Sequence, residues 1–577
     1  MNRSRHQRPG RLAACTAVAA LAAGTLLATP AAAAPATDRP HGRAEQGAPQ
    51  LTGRPGPFVP KGAAPRTALA AAATLAPRFD ADRDGITDML YQGLNGRYYV
   101  NPGGAEDHFA YQVGQATADG SYAYKDVIPV GDPDHDRDTN VLALTADGTL
   151  GLFNGIGTSG TAYSPSWSGR GWQIYDKVLA PGDLTGDGRV DVLARTYAGE
   201  LYLYPGNGSS TATPFLSRVK VGKGWQAYDQ LVGSNDITGD GLADLVARDG
   251  AGKLFTYTGT GRATEPFATR KQIGFGYQVY NQLIGLDDVN RDGKGDLYAR
   301  AVNGQAYLYY ADGNGGFKPR VTSSKGWNYA RVTAAQGGRP GYDRSDLAGR
   351  DAAGTLWWYG AKNDGTLTAR ERISPVGEWK GYRYIRSSSL NTNSYADTLE
   401  IFQNHLFVQG NDIGAGWGVY NTLVGPGDLS GDGKGDLLAR DGSGTLYVYQ
   451  GNGKATGFAS RVKVGAGWGG YNKLTGAGDF TGDGRADLIA RATNGDLYLY
   501  AGTGVARTPF KARVRIGTGY GIYKNLVATG DLDGDSRGDL VATDSAGTLW
   551  RYTSYGTGRL TARAKIGTGY QIYPDLY

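Results

Sequence analysis

A nine-residue acidic loop recurs about every 51 residues of this 577-residue chain, and its residue types are those that bind metal ions. The first copy runs from Asp80 to Asp88 in a D-x-D-x-D-G-x-x-D pattern. Oxygen ligands at alternate positions, a glycine at the sharp bend and a closing carboxylate suit a hard cation such as calcium. The predicted side-chain ligands are Asp80, Asp82, Asp84 and Asp88; Asp183, Thr185, Asp187 and Asp191; Asp236, Thr238, Asp240 and Asp244; Asp288, Asn290, Asp292 and Asp296; Asp428, Ser430, Asp432 and Asp436; Asp479, Thr481, Asp483 and Asp487; and Asp531, Asp533, Asp535 and Asp539.

The same residue types also build turns without any ion, because Asp and Gly both favour turn conformations. Three carboxylates that converge in each of seven loops would repel one another without a cation, and this favours calcium. Thr or Ser at the third position of four loops reduces the ligand charge, which predicts weak affinities of about 10⁻⁴–10⁻³ M. An eighth loop at Asp132 has Arg137 in place of the glycine and Asn140 in place of the closing acid, so its binding is left open.

Each loop belongs to a repeated unit of four short apolar or aromatic runs separated by Gly, Asn and Asp turns. Runs of this composition predict a four-stranded antiparallel meander. About ten units can be counted, and the two marked by Asp346 and Asp397 have lost the acidic loop. One meander cannot bury its own faces, so neighbouring units are expected to cover one another.

The two ends of the repeat region predict closure into a ring. The loop at Asp80 lacks the aromatic lead-in that precedes later loops, whereas residues 569–573 form a lead-in with no loop after it. Pairing of these ends would protect the sheet edges, as in an all-β propeller. Two five-bladed rings, residues 77–335 and 336–577, are favoured over one large ring, and residues 327–332 are expected to close the first.

The aromatic lead-ins form a second recurrent pattern. They are interpreted either as sugar-stacking platforms, which would give multivalent binding, or as packing between blades, which is favoured. The candidate ligand contacts are Trp172, Trp225, Trp417 and Trp468. A further recurrent set is predicted to pair with the acidic loops at strand ends rather than to clamp a ligand: Arg195, Arg248, Arg300, Arg440 and Arg491.

The region before the repeats predicts secretion to the extracellular space. Residues 1–33 combine a basic start, an apolar stretch and a small-residue cleavage site, which are the features of a signal peptide. Residues 34–76 are rich in Pro and Ala and predict a disordered linker. Removing the four arginines of the signal lowers the net charge from +6 to about +2. The scattered Lys and Arg indicate no nucleic-acid partner, and no other segment is apolar enough to span a membrane.

Catalytic signatures are sparse, so the chain is not expected to be an enzyme. None of its five histidines lies in a metal-ligand motif. Calcium is the expected cofactor, and extracellular glycan or a cell-surface polymer is the expected partner. The alternative is a structural or protein-interaction propeller, and a secreted hydrolase is the remote alternative.

The acidic loops are followed by Asp-Leu-Leu-Ala-Arg at residues 436–440 and Leu-Tyr-Val-Tyr at 446–449. This pattern resembles the FG-GAP or VCBS-type repeats of extracellular propellers, and the resemblance covers residues 80–577. It implies that each loop binds calcium within its blade, as in integrin α-chain propellers. Lys-Val-Gly-Ala-Gly-Trp at 463–468 is similar to tachylectin-type sugar-binding propellers. The Phe-Gly and Gly-Ala-Pro strand motifs of integrins are mostly absent, so integrin-like partner binding is not favoured.

Overall fold

A computed structural model describes residues 53–58, 77–103, 108–115, 124–133, 138–154, 161–162, 164–334, 345–476, 478–556 and 558–577. The predicted signal peptide and most of the predicted linker lie outside these residues. All the described residues belong to one compact unit. Within the described ranges there is no helix long and apolar enough to cross a membrane.

Ten four-stranded antiparallel sheets make up the fold, together with one small two-stranded pair, β4–β8. The strands of the first five sheets and of the small pair are β1 (Met89–Gly93), β2 (Tyr98–Asn101), β3 (Phe109–Ala110), β4 (Gln112–Val113), β5 (Tyr124–Gly131), β6 (Asn140–Thr145), β7 (Leu150–Phe153), β8 (Thr161–Ala162), β9 (Trp167–Gly169), β10 (Tyr175–Gly182), β11 (Asp191–Thr196), β12 (Leu201–Tyr204), β13 (Val219–Gly222), β14 (Tyr228–Gly233), β15 (Leu245–Asp249), β16 (Leu254–Tyr257), β17 (Lys271–Gly274), β18 (Tyr280–Gly285), β19 (Leu297–Ala301), β20 (Ala306–Tyr309), β21 (Val321–Thr322) and β22 (Ala330–Thr333).

The remaining five sheets follow in chain order. Their strands are β23 (Asp346–Arg350), β24 (Leu356–Gly360), β25 (Glu371–Arg372), β26 (Arg383–Ser387), β27 (Asp397–Phe402), β28 (His405–Val408), β29 (Asn411–Ala415), β30 (Tyr420–Gly427), β31 (Asp436–Asp441), β32 (Leu446–Tyr449), β33 (Val462–Gly465), β34 (Tyr471–Thr475), β35 (Leu488–Ala492), β36 (Leu497–Tyr500), β37 (Val514–Gly517), β38 (Asn525–Gly530), β39 (Asp539–Thr543), β40 (Leu549–Tyr552), β41 (Ala564–Gly567) and β42 (Asp575–Leu576).

Strand pairing divides the sheets into two closed groups of five. β22 pairs with β1, with Thr333 opposite Tyr91, and β42 pairs with β23, with Leu576 opposite Gly349. The first strands of successive sheets lie against one another in both groups. The fold is therefore a β-propeller, and these pairings give two five-bladed rings rather than one large ring. We call the sheets of β1–β22 the first ring and those of β23–β42 the second ring; the predicted boundary at 335/336 lies outside the described residues.

The hydrophobic core is divided into clusters that lie between neighbouring sheets. In one cluster, Leu142 and Leu152 of one sheet pack with Val178 and Val192 of the next, and all four are at most 2% exposed. Equivalent clusters recur around both rings. The expectation that neighbouring units cover one another is thus confirmed.

The aromatic lead-ins differ from the predicted strands because they begin with a 3-10 helix. A glycine in the left-handed conformation precedes each helix, for example Gly171 at φ 100° and Gly467 at φ 89°, a backbone region that favours glycine. The first backbone N–H of the Trp468 helix donates to the carbonyl of Gly444 in the preceding sheet at 3.0 Å. The lead-in therefore fastens one sheet to the next. The helices are Trp172–Ile174, Trp225–Ala227, Tyr277–Val279, Trp327–Tyr329, Trp417–Val419, Trp468–Gly470, Tyr520–Ile522 and Tyr570–Ile572.

A short part of the predicted disordered linker is instead packed against the first ring. Phe58 is fully buried and lies in a cluster with Met89 and Trp327. The backbone N–H of Gly56 donates to the carbonyl of Lys325 at 2.9 Å. The prediction of disorder is therefore wrong for residues 53–58, because the large apolar side chain of Phe58 packs between sheets.

Candidate metal and ligand sites

The closing carboxylate of each acidic loop is fixed by backbone hydrogen bonds. Asp191 accepts from the N–H of Leu184 at 2.8 Å through one oxygen and from the N–H of Gly206 at 2.9 Å through the other. The first of these bonds recurs in all seven loops. The closing residues are Asp88, Asp191, Asp244, Asp296, Asp436, Asp487 and Asp539, and they are at most 4% exposed.

The opening carboxylate holds the bend of the loop. Asp183 accepts from the N–H groups of Gly186 and Gly188, both at 2.7 Å. These bonds are the ones that the turn interpretation predicts. Oδ1 of Asp183 also accepts from the N–H groups of Thr185 and Asp187, at 3.1 and 3.3 Å, so a cation bound by this oxygen would replace part of the network.

Two loops bring three carboxylates together. In the described part of the chain, only Asp80, Asp82 and Asp88 and, in another loop, Asp531, Asp533 and Asp535 place ligand oxygens within 4.8 Å of one another. Both sets include an acid at the third position. The other five loops have a neutral side chain there: Thr185, Thr238, Asn290, Ser430 and Thr481.

The loop that opens at Asp531 also contains carboxylate oxygens with no hydrogen-bond partner. Oδ1 of Asp533 and Oδ1 of Asp539 are buried and accept no hydrogen bond. A buried oxygen in that state costs free energy unless something else satisfies it. Converging carboxylates with unsatisfied oxygens fit a hard cation, so the donor set here matches the predicted calcium site. The ligand roles assigned in the other loops stay predictions.

Burial and mutual repulsion shift the titration of the closing acids. Burial raises the pKa of Asp88 to about 8, and the neighbouring carboxylate of Asp82 adds to the shift. Burial likewise raises the pKa of Asp436 to about 8 and that of Asp244 to about 7. Without a cation, these groups therefore resist ionisation near neutral pH.

This shift predicts an unusual pH dependence for calcium-free protein. A carboxyl whose pKa is higher in the folded state contributes stability at low pH, and the contribution is lost as pH rises through the folded value. We expect the free energy of unfolding, measured by urea titration of calcium-free protein, to fall between about pH 4 and pH 8. Saturating calcium should remove this fall, since it stabilises the ionised carboxylates. A fall that is identical with and without calcium would contradict the prediction.

The four candidate tryptophans are buried in contacts within and between sheets. Trp172, Trp225, Trp417 and Trp468 are only 7–8% exposed. The ring of Trp172 lies 4.7 Å from that of Tyr204 and 5.8 Å from that of Phe215, centroid to centroid. These are the contacts that the packing alternative describes. They leave little indole surface for stacking on a sugar.

The prediction for the five recurrent arginines is wrong for Arg195, Arg248, Arg440 and Arg491; Arg300 does contact an acidic loop, at the backbone carbonyl of Asp533 in the other ring. Arg195 donates to the carbonyls of Trp225 and Tyr228, at 3.0 and 2.6 Å, and its Nε donates to Asp176 at 3.0 Å. Each of the others likewise donates to the lead-in of the next sheet. The physical reason is distance, because four residues of strand place the arginine about 13 Å from the loop.

Sequence reasoning missed a repeated group of two tyrosines and an arginine, which we call the Tyr-Arg cluster. In one copy the hydroxyls of Tyr175 and Tyr204 lie 2.6 Å apart, and the exposed guanidinium of Arg218 lies 4.4 Å above the ring of Tyr202. Seven sheets carry this arrangement, with hydroxyl pairs at 2.6–2.8 Å. The exposed arginines are Arg218, Arg270, Arg320, Arg370, Arg461, Arg513 and Arg563. The signal that could have revealed it is a recurring strand of Leu or Ala, an aromatic residue, any residue and Tyr, with an arginine after it.

Comparison with known proteins identifies the repeat. The family model described as FG-GAP-like repeat matches residues 183–247, 428–490 and 479–542. No curated protein matches the sequence. Among solved structures, a lectin of Agrocybe aegerita, reported for specific recognition of non-reducing terminal N-acetylglucosamine, is 18% identical with a TM-score of 0.25 and covers 70% of this chain and 97% of its own. The chain therefore carries FG-GAP-like repeats in both rings of its propeller.

Proposed function

We propose that this protein is a secreted, calcium-stabilised propeller module that binds extracellular glycan or a cell-surface polymer. The Tyr-Arg clusters carry the proposal. In each cluster an exposed arginine lies over an aromatic ring and beside two phenolic hydroxyls that bond to each other, so the outer side of the guanidinium is the group that can hydrogen-bond to a sugar. Seven equivalent copies on two rigid rings suit a repeating polymer, because linked weak sites gain affinity together. The signal features of residues 1–33 support secretion.

Calcium has a structural role in this proposal. The residues of the seven loops would hold it. In the loop that opens at Asp531, where the carboxylates converge, the bound ion would add to the charge that Arg551 supplies to Asp533. The loops themselves position the strand that follows, since each closing aspartate begins or precedes the second strand of its sheet. Ion binding would thus stabilise the blades and the surface between them.

A glycan array tests the binding function. We expect the calcium-loaded protein to bind a subset of glycans, and Arg461→Ala/Arg513→Ala to weaken that binding by about tenfold, since two of seven linked sites lose a contact. Lys454→Gln/Arg507→Gln removes two exposed charges from loops of the same two sheets and should bind as the unaltered protein does. Absence of binding to any glycan would contradict the proposal.

A scaffold without sugar binding is the second candidate. The burial of Trp172, Trp225, Trp417 and Trp468 favours it, because these aromatic residues are then accounted for by packing alone. The same array separates the two candidates: a scaffold would bind no glycan while retaining its calcium-dependent stability.

A further inference from the structure

Each sheet of the second ring supplies one cation to the lead-in of the next sheet. Arg440 donates to the carbonyl of Tyr471 at 2.7 Å, and Arg491 donates to that of Tyr523 at 2.7 Å. Because the first strands surround the ring centre, cations bonded where those strands begin surround one mouth of the ring. We call this set the cation ring; its members are Arg350, Arg383, Arg440, Arg491 and Lys524.

In the first ring, two of the corresponding cations are neutralised, whereas Nε of the third, Arg300, donates to Asn281 at 3.2 Å. Arg195 pairs with Asp176, and Arg248 pairs with Asp229 at 2.7 Å. Each of these acids lies 19 residues before its arginine, directly after the tyrosine that begins the first strand.

The first-ring cations are also covered by acidic loops of the second ring. The backbone carbonyl of Asp533 accepts from Arg300 at 3.1 Å, and Arg537 of the same loop pairs with Asp229 at 2.7 Å. Arg485 of another loop lies 5.1 Å above the ring of Tyr197. The acidic loops of the second ring therefore lie against the first ring, where their arginines contact Asp229 and Tyr197.

The cation ring lacks the neutralising acids. Asn421 accepts from Nε of Arg440 at 3.0 Å, and Asn472 accepts from Nε of Arg491 at 2.8 Å, at the positions that Asp176 and Asp229 occupy in the first ring. Both asparagines are exposed.

Only one member of the cation ring is paired. Asp575 pairs with Arg350; over the described ranges, Arg383, Arg440, Arg491 and Lys524 form no ion pair. Burial lowers the pKa of Arg440 and that of Arg491, with no carboxylate to offset it.

We propose that the cation ring binds the oxyanions, carboxylate or phosphate, of an anionic glycan or polyol-phosphate polymer; this deepens the proposed function and rests on it. The positive charge of the guanidinium groups attracts both oxyanions. Arg440 already donates from Nε and Nη1 and, at 2.8 Å, from Nη2 to Thr422, so the attraction is mainly electrostatic rather than bidentate. A second copy of this chain, offering the acidic loops of its first ring, is the other occupant to consider. The second-ring loop that contacts the first ring carries Arg537, which pairs with Asp229. At the position of Asp229 the cation ring has Asn472, which cannot form that ion pair. An anionic polymer without cationic groups therefore matches the cation ring better than the acidic loops of a second copy do.

The test adds the missing acids. Asn421→Asp/Asn472→Asp would neutralise Arg440 and Arg491 while leaving their bonds to the next sheet intact. Binding of fluorescent hyaluronan oligosaccharide and of poly(glycerol phosphate) is measured by anisotropy in excess calcium, at two salt concentrations, with dextran as the neutral probe. We expect at least one anionic polymer to bind in a salt-dependent manner, and the double Asp variant to weaken it about tenfold, about 1.4 kcal/mol. The tighter of the two polymers identifies the oxyanion.

The controls keep the result interpretable. Lys463→Gln/Arg515→Gln changes the net charge by the same amount and should bind as the unaltered protein does; Arg440→Gln/Arg491→Gln should weaken binding if its melting curve shows that it folds. Equal binding by the double Asp variant and the unaltered protein would overturn the proposal. Self-association that becomes stronger in the double Asp variant would also overturn the proposal. Binding of neutral glycans alone would overturn it too, but would leave the proposed function standing. Binding of no glycan, neutral or anionic, would remove both.

Discussion

Removing calcium is expected to lower the melting temperature of the protein by about 10 °C or more. A ligand present at 100 times its dissociation constant stabilises the folded state by about 2.7 kcal/mol per site. Each kcal/mol shifts the melting temperature of a ring of this size by about 2–4 °C, and each ring carries several loops. The measurement is a thermal melt of the protein without residues 1–33, in excess calcium and in excess EGTA.

Altering one loop distinguishes the stability contributed by bound calcium from the stability contributed by the turn itself. Asp183→Ala/Asp187→Ala removes two predicted ligands together with the bonds that Asp183 accepts from Gly186 and Gly188. This double variant should have lower melting temperatures both in calcium and in EGTA, and a smaller difference between the two. Asp441→Ala, which alters an ordinary turn outside the acidic loops, should leave that difference unchanged. Equal melting temperatures in calcium and in EGTA would mean that the acidic loops only form turns and bind no stabilising ion.

Much of the fold follows from local sequence signals. The turn residues and the spacing of aromatic runs indicate four-stranded units, and the surplus run at residues 569–573 indicates closure; the structure confirms the units and the closure. The two ends of the repeat region do not pair with each other, since β42 pairs with β23 and β1 with β22. The closing strand itself lies slightly later, at Asp575–Leu576, because a 3-10 helix occupies the first part of the lead-in. That helix depends on the positive φ of Gly569, 90°, and the sequence alone does not indicate which glycines adopt a positive φ.

The sites are less predictable, because their partners are distant in sequence. An acid at the third loop position is visible in sequence, and it marks the two loops whose carboxylates converge. The bonds of Arg195 reach 30 and 33 residues ahead, and the contact between Arg537 and Asp229 spans 308 residues. The sequence period predicts the repeated four-stranded unit. The contacts between the two rings depend on how the rings pack against each other, which the period does not indicate.

The centre of the first ring is held by one such distant pair. Nε of Arg78 donates to Asp287 at 2.7 Å, and their side chains are only 10% and 3% exposed. The same guanidinium donates to the carbonyls of Ala180, Gly233 and Gly285 at 2.6, 3.0 and 3.1 Å. These three residues belong to the first strands of three successive sheets. Arg78 therefore joins three blades at their inner edge.

Breaking this pair is expected to be among the most destabilising single changes in the protein. Arg78→Met should lower the free energy of unfolding by about 3–5 kcal/mol, because it leaves the carboxylate of Asp287 buried without its cation. The double variant Arg78→Met/Asp287→Asn should recover part of the loss, because no charge stays buried and the amide oxygen can still accept from the N–H of Arg78 or from Asn235. Arg83→Met, which removes an arginine whose side chain is 55% exposed, should cost at most about 1 kcal/mol. Urea unfolding of the four proteins in saturating calcium measures these differences. If the double variant is no more stable than Arg78→Met, the loss reflects the carbonyl contacts of Arg78 rather than the unpaired charge of Asp287.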